Sequence, residues 1–296
     1  MLSTLVDSSI AYPARVESAE YRQASHEIWN KMAAGWEGWN DWLSDSTRPV
    51  TDQMVEALAP QPGETILELA AGAGVAGFLA ASLLGGEGRL IMTDFSEEMV
   101  EAERRRGAAL GVSGVEYRVM DAEQIDLEDE SVDGVLCRWG YMLMADPAKA
   151  LGETRRVLRP GGRLSFSVWG APEDNKWASV PGRILVQRGH MQPPESGAPG
   201  IFAMADPKRI VELVTGAGLG HPDLVEAPVS FHFDSFDHFW QHTLDIVGAV
   251  AMVLQNLDPR ESAEVREDVE TALAPLAKDG AYDVPGVCIN GLAARA

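Results

Sequence analysis

Through the middle of the chain, short apolar runs alternate with amphipathic stretches whose hydrophobic positions fall three and four apart. The apolar runs end at Glu68, Asp94, Met120 (Val115–Met120), Arg138 (Val132–Arg138) and Trp169 (Arg163–Trp169). Runs of this length bounded by turn residues read as buried strands, and the stretches between them read as helices. Ser96 is a good N-cap, with Glu97 and Glu98 in the first turn and Arg104, Arg105 and Arg106 near the end, as the helix dipole prefers. Asp146-Pro147 opens a helix through Leu151 and Val157, and Arg159-Pro-Gly-Gly162 turns into the fifth strand. Regular alternation of strand and helix predicts a parallel sheet covered on both faces.

The pattern changes at both ends. From Ser18 to Trp42, Trp29, Met32, Trp36 and Trp39 share one helical face, a stripe that docks onto the domain or overhangs a ligand as a lid, with Trp36 and Trp42 its candidate contacts. Residues 1–15 are expected to be loosely held. After the fifth strand, an insertion runs from Gly170 to Ala205, followed by a helix from Asp206-Pro207 to Gly216 and a sixth strand, Leu224–Phe233. A second insertion reads as two helices, Phe236–Leu257 and Pro259–Ala277, before a closing strand, Val287–Leu292. Ile246, Val247, Val250, Met252 and Val253 make the first of these helices apolar enough to line a pocket. The expected division is an arm and lid (1–47), a cofactor-binding core (48–169), and cap insertions with the last helix and strands of the same domain (170–296).

The most informative stretch is Glu64-Thr-Ile-Leu-Glu-Leu-Ala-Ala-Gly-Ala-Gly-Val-Ala-Gly77. A strand ends in an acid, and Gly72 and Gly74 then let the backbone approach a ligand closely. Gly72-x-Gly74-x-x-Gly77 suits a dinucleotide equally well, and an acid at the end of the second strand (Asp94) suits any ribose, so a nicotinamide-dependent oxidoreductase stays open at this point. The acid four residues ahead of Gly72 has no obvious task in a pyrophosphate loop.

In order and spacing, Ile66-Leu-Glu-Leu-Ala-Ala-Gly-Ala-Gly74, Thr93-Asp-Phe-Ser-Glu-Glu-Met99, Asp121-Ala-Glu123 and Asp146-Pro…Leu151…Glu153…Arg156-Val-Leu-Arg-Pro-Gly-Gly-Arg-Leu164 resemble the class I S-adenosylmethionine-dependent methyltransferases. The likeness is greatest to the branch of the ubiquinone/menaquinone-biosynthesis C-methyltransferases and covers roughly residues 48–169. Ala70 departs from the family pattern, standing where many members carry glycine. The resemblance implies a Rossmann-like doubly wound sheet of seven strands, the last antiparallel, with helical cap insertions and an N-terminal helical lid. It implies S-adenosyl-L-methionine as cofactor. Glu68, Ala70, Gly72 and Gly74 would serve its methionine part, Asp94 the ribose hydroxyls, Met99 the adenine face, and Asp121 and Ala122 the adenine edge, with Phe95 a further cofactor contact. Such ligands bind at the carboxyl ends of the strands, where the strand order reverses.

Past the fourth strand, Arg138 is a candidate for the methionine carboxylate or an acceptor's acid group. Its bland alternative is an ion pair with the acidic loop Asp126–Glu130. Trp139, Tyr141, Met142, Trp169 and Trp177 are candidate acceptor contacts. Methyl transfer from a sulfonium demands orientation more than a catalytic triad. His242, His190 and Tyr141 are the candidate bases, and no metal is expected because His238 and His242 lack a third ligand. The expected acceptor is small and largely apolar, quinone-like, polyketide-like or another secondary metabolite. A non-catalytic cofactor-binding subunit is the further alternative.

Charge narrows the partners. Lys and Arg number 24 against 45 Asp and Glu, a formal net charge of −21, which repels phosphate backbones and disfavours nucleic acid and anionic membranes. A hydrophobic content of 46% with 23% charge is ordinary for a globular protein. Cys137 and Cys288 sit in apolar strand contexts and read as reduced core residues. With no evident signal peptide or membrane-spanning run, the chain is expected to be cytoplasmic, and monomeric or homodimeric.

Overall fold

A computed structural model describes residues 18–296 except Ser196, and the expectation for residues 1–15 lies outside the described residues. Helices α1 (Ser18–Ser46) and α2 (Arg48–Leu58) precede an alternating core: β1 (Thr65–Glu68), α3 (Val75–Ala81), β2 (Arg89–Asp94), α4 (Glu97–Leu110), β3 (Val115–Val119), β4 (Val132–Arg138), α5 (Pro147–Val157) and β5 (Leu158–Trp169). The chain continues through α6 (Lys176–Gln187), α7 (Pro207–Gly216), β6 (Asp223–Phe233), α8 (Phe236–Ile246), α9 (Gly248–Asn256), α10 (Pro259–Leu273), β7 (Ala277–Lys278) and β8 (Ala281–Ala294).

The strands form one sheet in the order β3-β2-β1-β4-β5-β8-β6, with β7 pairing β8 as an added two-residue hairpin arm. β1 to β5 pair in parallel, and β8 runs antiparallel to both β5 and β6. This is the Rossmann-like α/β sheet with an antiparallel last strand that the motifs imply, carrying a short eighth strand beyond the expected seven. From β1 the chain winds outward to β2 and β3, then returns to lay β4 on the other side of β1. The crevice between β1 and β4 is therefore the switch point of the sheet.

Local chemistry accounts for the helix ends. The Ser96 side chain accepts from Met99 N at 3.2 Å and the Asp146 side chain from Lys149 N at 3.0 Å, so both predicted N-caps are formed. α2 is tied to the far half of the sheet by polar bonds as well as by buried Val50, Met54 and Leu58. Asn290 Nδ2 donates to Val50 O (3.1 Å) and Gln53 Oε1 (2.7 Å), and Ser165 Oγ donates to Met54 O (2.9 Å). Cys137 and Cys288 are buried and free, and burial pushes both thiols up to about 12. No described helix is long and apolar enough to cross a membrane.

Several boundaries differ from the sequence reading, β5 starting at Leu158 instead of Arg163 and α10 ending at Leu273 instead of Ala277. α1 runs on to Ser46, and β8 begins at Ala281 and pairs β6 over eleven positions. The helix expected over Phe236–Leu257 is broken at Val247, because Gly248 takes a left-handed backbone (φ 49°). The break separates the apolar residues by role. Ile246, Val247 and Val250 reach the central cavity, whereas Met252 packs against Ile28 and Met32 of α1.

On the inner face of α4, Glu103 is fully buried and neither carboxylate oxygen has a hydrogen-bond partner. Burial raises its pKa well above the usual range, and the nearby Asp94 and Glu68 add to the shift. The folded state therefore holds a proton that the unfolded chain releases near pH 4.3. The associated stability is complete below that pH and declines as pH rises toward the folded-state value, by up to about 1.4 kcal/mol per pH unit. Glu103→Gln should remove this slope. Thermal denaturation at pH 5.5 and 8.5 should show the variant gaining on the parent protein as pH rises; an unchanged difference would reject the assignment.

Candidate functional site

The loop between β1 and α3 is shaped by two acids. Glu68, at the end of β1, turns beneath the loop and accepts from Gly77 N at 3.0 Å. A Cβ at Gly77 would stand 2.1 Å from that carboxylate oxygen, so the third glycine makes room for Glu68. Asp94, at the end of β2, accepts from Gly72 N (3.1 Å) through one oxygen and from Ser96 N (3.0 Å) through the other. Gly72 has a left-handed backbone (φ 57°) and nothing within 4 Å of the Cβ it lacks, which makes it a turn with an open approach. Ala70 adopts the same region (φ 49°) with a side chain, at a cost of about 1–2 kcal/mol.

Both acids are held out of water. Burial lifts Glu68 to about 8, with Arg138 opposing the shift. It lifts Asp94 to about 6 against the pull of the Ser96, Gly72 and Phe95 N–H groups. Arg138 leaves β4 half-buried, and desolvation lowers its pKa to about 10 while Glu68 opposes. Its Nη1 donates to Thr47 Oγ1 (3.2 Å) and Thr51 Oγ1 (3.3 Å), and its guanidinium lies 4.4 Å from the ring centroid of Trp139. No carboxylate among the described residues is within ion-pair distance of it. The acidic loop instead pairs with Arg156, through Asp129, and with Arg295, through Glu130.

A cavity of about 1320 Å³ opens over the switch point. Ala70, Gly72, Asp94, Phe95, Met99, Asp121, Ala122 and Arg138 line it, as do Trp36, Trp139, Met142, Trp169, Trp177 and His242. Five sequence candidates fall elsewhere. Glu68 and Gly74 lie behind the wall: Glu68 is occupied with Gly77, and Gly74 is packed against Met92 and Phe78. Tyr141 is buried with its hydroxyl 2.7 Å from Thr154 Oγ1, a core bond that leaves it no access to a ligand. His190 follows α6 outside the lining. Trp42 donates to His232 O at 3.2 Å and borders a separate cleft of about 420 Å³ with Asp45 and His238.

The cavity also gathers residues that local sequence did not single out as ligand contacts. Tyr21, Arg22, Ser25 and Trp29 come from α1, because Tyr21 Oη donates to Leu143 O (2.8 Å) and Arg22 pairs with buried Glu123. Glu123 in turn accepts from Asp146 N at 3.0 Å, while Asp121 Oδ1 accepts from Glu123 N at 2.8 Å, so one short turn seats both α1 and α5. Phe231 enters from β6, and residues 191–195 and 197–203 close one side, with Gly200 N on Met142 O at 2.9 Å. The helical period of α1 announces an apolar stripe, but not which end overhangs the site.

The far wall is aromatic. Trp139 and Trp169 stack with centroids 4.8 Å apart, Trp177 lies 4.8 Å from Trp169, and Phe231 lies 5.7 Å from Trp177. His242 is buried among Trp39, Trp42, Trp177, Phe231 and Phe233, and neither of its ring nitrogens has a hydrogen-bond partner. Burial lowers its pKa to about 3, so the ring is neutral at physiological pH. Each unpaired buried polar atom of this kind costs about 1–3 kcal/mol.

These residues suit an adenosyl sulfonium compound. Asp94 keeps lone pairs toward the cavity for ribose hydroxyls, Met99 and Phe95 offer an apolar face, and the unpaired Arg138 suits a carboxylate. They suit a dinucleotide less well. A pyrophosphate is bound by free N–H groups at a helix N-terminus, yet Gly77 N is taken by Glu68 and Gly74 is walled off from the cavity.

Known proteins show the same relation. A family described as a methyltransferase domain matches residues 67–166. Demethylmenaquinone methyltransferase of Clavibacter sepedonicus is 39% identical over 45% of this chain and 49% of its own length. A ubiquinone/menaquinone biosynthesis C-methyltransferase of Acidiphilium cryptum is 32% identical over 56% of this chain and 69% of its own. The chain thus spans between about half and two thirds of the length of these two relatives. In fold, it superposes on a candidate methyltransferase from Bacillus halodurans with a TM-score of 0.58 at 19% identity, covering 83% of this chain and 98% of that one.

Asp94 generates a pH prediction. A ribose hydroxyl held by Asp94 would donate to the ionised carboxylate, so affinity should rise with pH and level off above about 6. Calorimetry with S-adenosylhomocysteine should show affinity falling by about tenfold per unit below that value. In Asp94→Asn, binding should be weaker and independent of pH between 5 and 7.5; a persisting slope would assign the titration to another group.

Proposed function

The chain belongs to the class I S-adenosylmethionine-dependent methyltransferases, in the branch of the ubiquinone/menaquinone C-methyltransferases, and on that premise we propose that it transfers a methyl group to a small, largely apolar acceptor enclosed beneath the α8–α9 cap. The observation that carries this reading is one continuous cavity. A polar end lies at the β1 loop, with Asp94 and Arg138, and an aromatic end lies at Trp139, Trp169, Trp177 and Phe231. Its volume exceeds the 300–1,000 Å³ of an ordinary single-ligand pocket, which supports two occupants side by side.

When bound, the cofactor supplies an electrophilic methyl group on a sulfonium. The chain's own residues bind, orient and exclude water. Asp94 would hold both ribose hydroxyls, Asp121 and the Ala122 backbone the adenine edge, and Met99 with Phe95 its faces. Arg138 would hold the methionine carboxylate. Its planar fork matches a carboxylate bidentately, and it lacks any such partner within the described protein. Glu68 would act at one remove, fixing the loop through Gly77. Trp36 and the chain around Gly200 would cover the reacting groups. Holding two reactants in line in this way is worth about 7–11 kcal/mol.

The roles separate experimentally. Calorimetry should show S-adenosylhomocysteine binding to the native protein, with no saturable binding of NADH. Arg138→Met should weaken S-adenosylhomocysteine about tenfold or more, as expected for loss of a charge-assisted pair. It should leave 5′-methylthioadenosine, which lacks the amino-acid part, within twofold. Equal loss of both ligands would reassign Arg138 to holding the fold, and NADH binding in place of S-adenosylhomocysteine would overturn the methyltransferase reading.

A further inference from the structure

A third wall of the cavity belongs neither to the cofactor end nor to the aromatic end. α6 turns one face toward the cavity with Ser179, Gly182, Arg183 and Val186, and α7 turns Lys208, Arg209 and Glu212 toward it from its first two turns. The chain holds 24 Lys and Arg against 45 Asp and Glu, so unpaired acids are inevitable and unpaired arginines are not. Among the described residues, four arginines make no ion pair: Arg138, Arg155, Arg183 and Arg209. Three of the four line this cavity, and the fourth, Arg155, donates to Gly218 O outside it. Arg138 is accounted for by the cofactor; Arg183 and Arg209 are not.

Arg209 is the more informative of the two. Asp206 and Glu212 stand three residues to either side of it on the same helix and also line the cavity, yet it pairs with neither. Its Nη2 donates instead to Gly197 O at 3.3 Å, and its Nε is buried without a partner. The guanidinium lies so near Gly197 that a Cβ there would stand 3.3 Å from Nη1, and Gly197 has a left-handed backbone (φ 84°). Glycine therefore lets the loop seat against the guanidinium and hold it, half-buried, at the cavity's edge. Lys208 and Arg209 occupy the first turn of α7, where the helix dipole disfavours cations. Asp206 Oδ1 is engaged by Lys208 N at 2.9 Å as the cap. The fold thus keeps cations unpaired on this wall although acids are close by.

Resting on the methyltransferase reading, we propose that Arg183 and Arg209 bind an anionic oxygen group, a carboxylate or a phosphate, carried by the acceptor. Both anions suit the planar fork of arginine, and Lys208 adds a point charge beside it. A net charge of −21 repels anions at long range, so local cations decide which of them enter. The acceptor is then amphiphilic. Its apolar body lies toward Trp169 and Trp177, and its charged end stays at the α6–α7 edge, where Arg183 is exposed and water still reaches the anion.

The test uses 1-naphthaleneacetate, its neutral amide 1-naphthaleneacetamide and 1-naphthyl phosphate as probes in equilibrium dialysis against the full chain. Saturating S-adenosylhomocysteine keeps Arg138 engaged. The favoured anion should bind about tenfold tighter than the amide, as expected for charge-assisted bonds, and the tighter of the two anions names the acceptor's group. The preference should shrink as salt is raised. The double variant Arg183→Gln, Arg209→Gln should abolish it while retaining the amide, and Arg209→Lys alone should keep part of it. Lys278→Gln, which removes a charge from the β7 hairpin outside the cavity lining, should leave it unchanged. Equal binding of anions and amide to the native protein, or a preference that survives the double variant, would overturn the proposal. Loss of the amide as well, with S-adenosylhomocysteine still bound, would reassign the two arginines to shaping the wall and overturn it too. Calorimetry with S-adenosylhomocysteine on the same samples separates the two levels. Failure to bind it, with an anion preference that the double variant abolishes, would reject the methyltransferase reading alone. Cofactor binding without any anion preference would reject the role of Arg183 and Arg209 alone.

Discussion

Everything at the ligand-facing end of the sheet depends on the bond between the Glu68 carboxyl and Gly77 N. It joins the last residue of β1 to the first turn of α3 and so fixes how sharply the chain reverses. Asp94 then holds Gly72 from the next strand, and Ala71 N reaches Thr93 O at 3.0 Å, so the loop is pinned from below and from the side. Neither acid could do this in water for much gain. Inside the protein each bond is stronger because little solvent competes for it. The same burial raises both carboxyl pKa values, so an anion-poor interior and a rigid loop are two results of one arrangement.

α1 extends this arrangement across the cavity. It meets α4 through Glu37–Arg105 and His26–Glu97 contacts, and the cap through Trp39 Nε1 on Asp245 Oδ2 at 2.9 Å. Exposed ion pairs of the first kind contribute little, because water screens them. Firmer attachment comes from apolar packing of Ile28 and Met32 on Met252 and from the close approach at Gly35, where a Cβ would stand 2.4 Å from Asp245 O. A helix held at both ends and lined by Trp29 and Trp36 between them couples the cofactor end of the cavity to its acceptor end through one rigid element.

How much of this was legible in sequence follows how local each cause is. The alternation, the Ser96 and Asp146 caps, the loop glycines and the acid at the end of β2 are short-range chemistry, and they fixed the expected sheet and most of the cofactor-facing residues. Glu68 and Gly74 read as lining because a motif records position in the chain, not direction. Glu68 points under the loop and Gly74 faces Met92. Tyr141 and Trp139 are two residues apart, yet only Trp139 faces the cavity, because the turn after β4 sends the phenol inward to Thr154. Phe231 could not be singled out at all. Strand alternation marks it as inward-facing, but its neighbours come from α1, β5, α6 and α8, which only the folded chain brings together.

That assembly carries a local cost. Trp139 adopts a left-handed backbone (φ 61°), held by Trp139 N donating to Ser167 O at 2.8 Å and by stacking on Trp169. For a residue other than glycine such a conformation costs about 1–3 kcal/mol. Arg138 beside it is a half-buried cation without an ion pair among the described residues, and His242 opposite is a buried ring without a hydrogen bond. Each of the three lowers stability, and an aliphatic or glycine substitute would relieve each locally. Their convergence around one cavity has a common physical reason if a ligand supplies what the protein withholds, a carboxylate for Arg138 and a ring for the face that Trp139 presents. Unpaired groups scattered over a fold would read as incidental defects; gathered at the end of β4 and the cap facing it, they outline the shape and polarity that the cavity accepts.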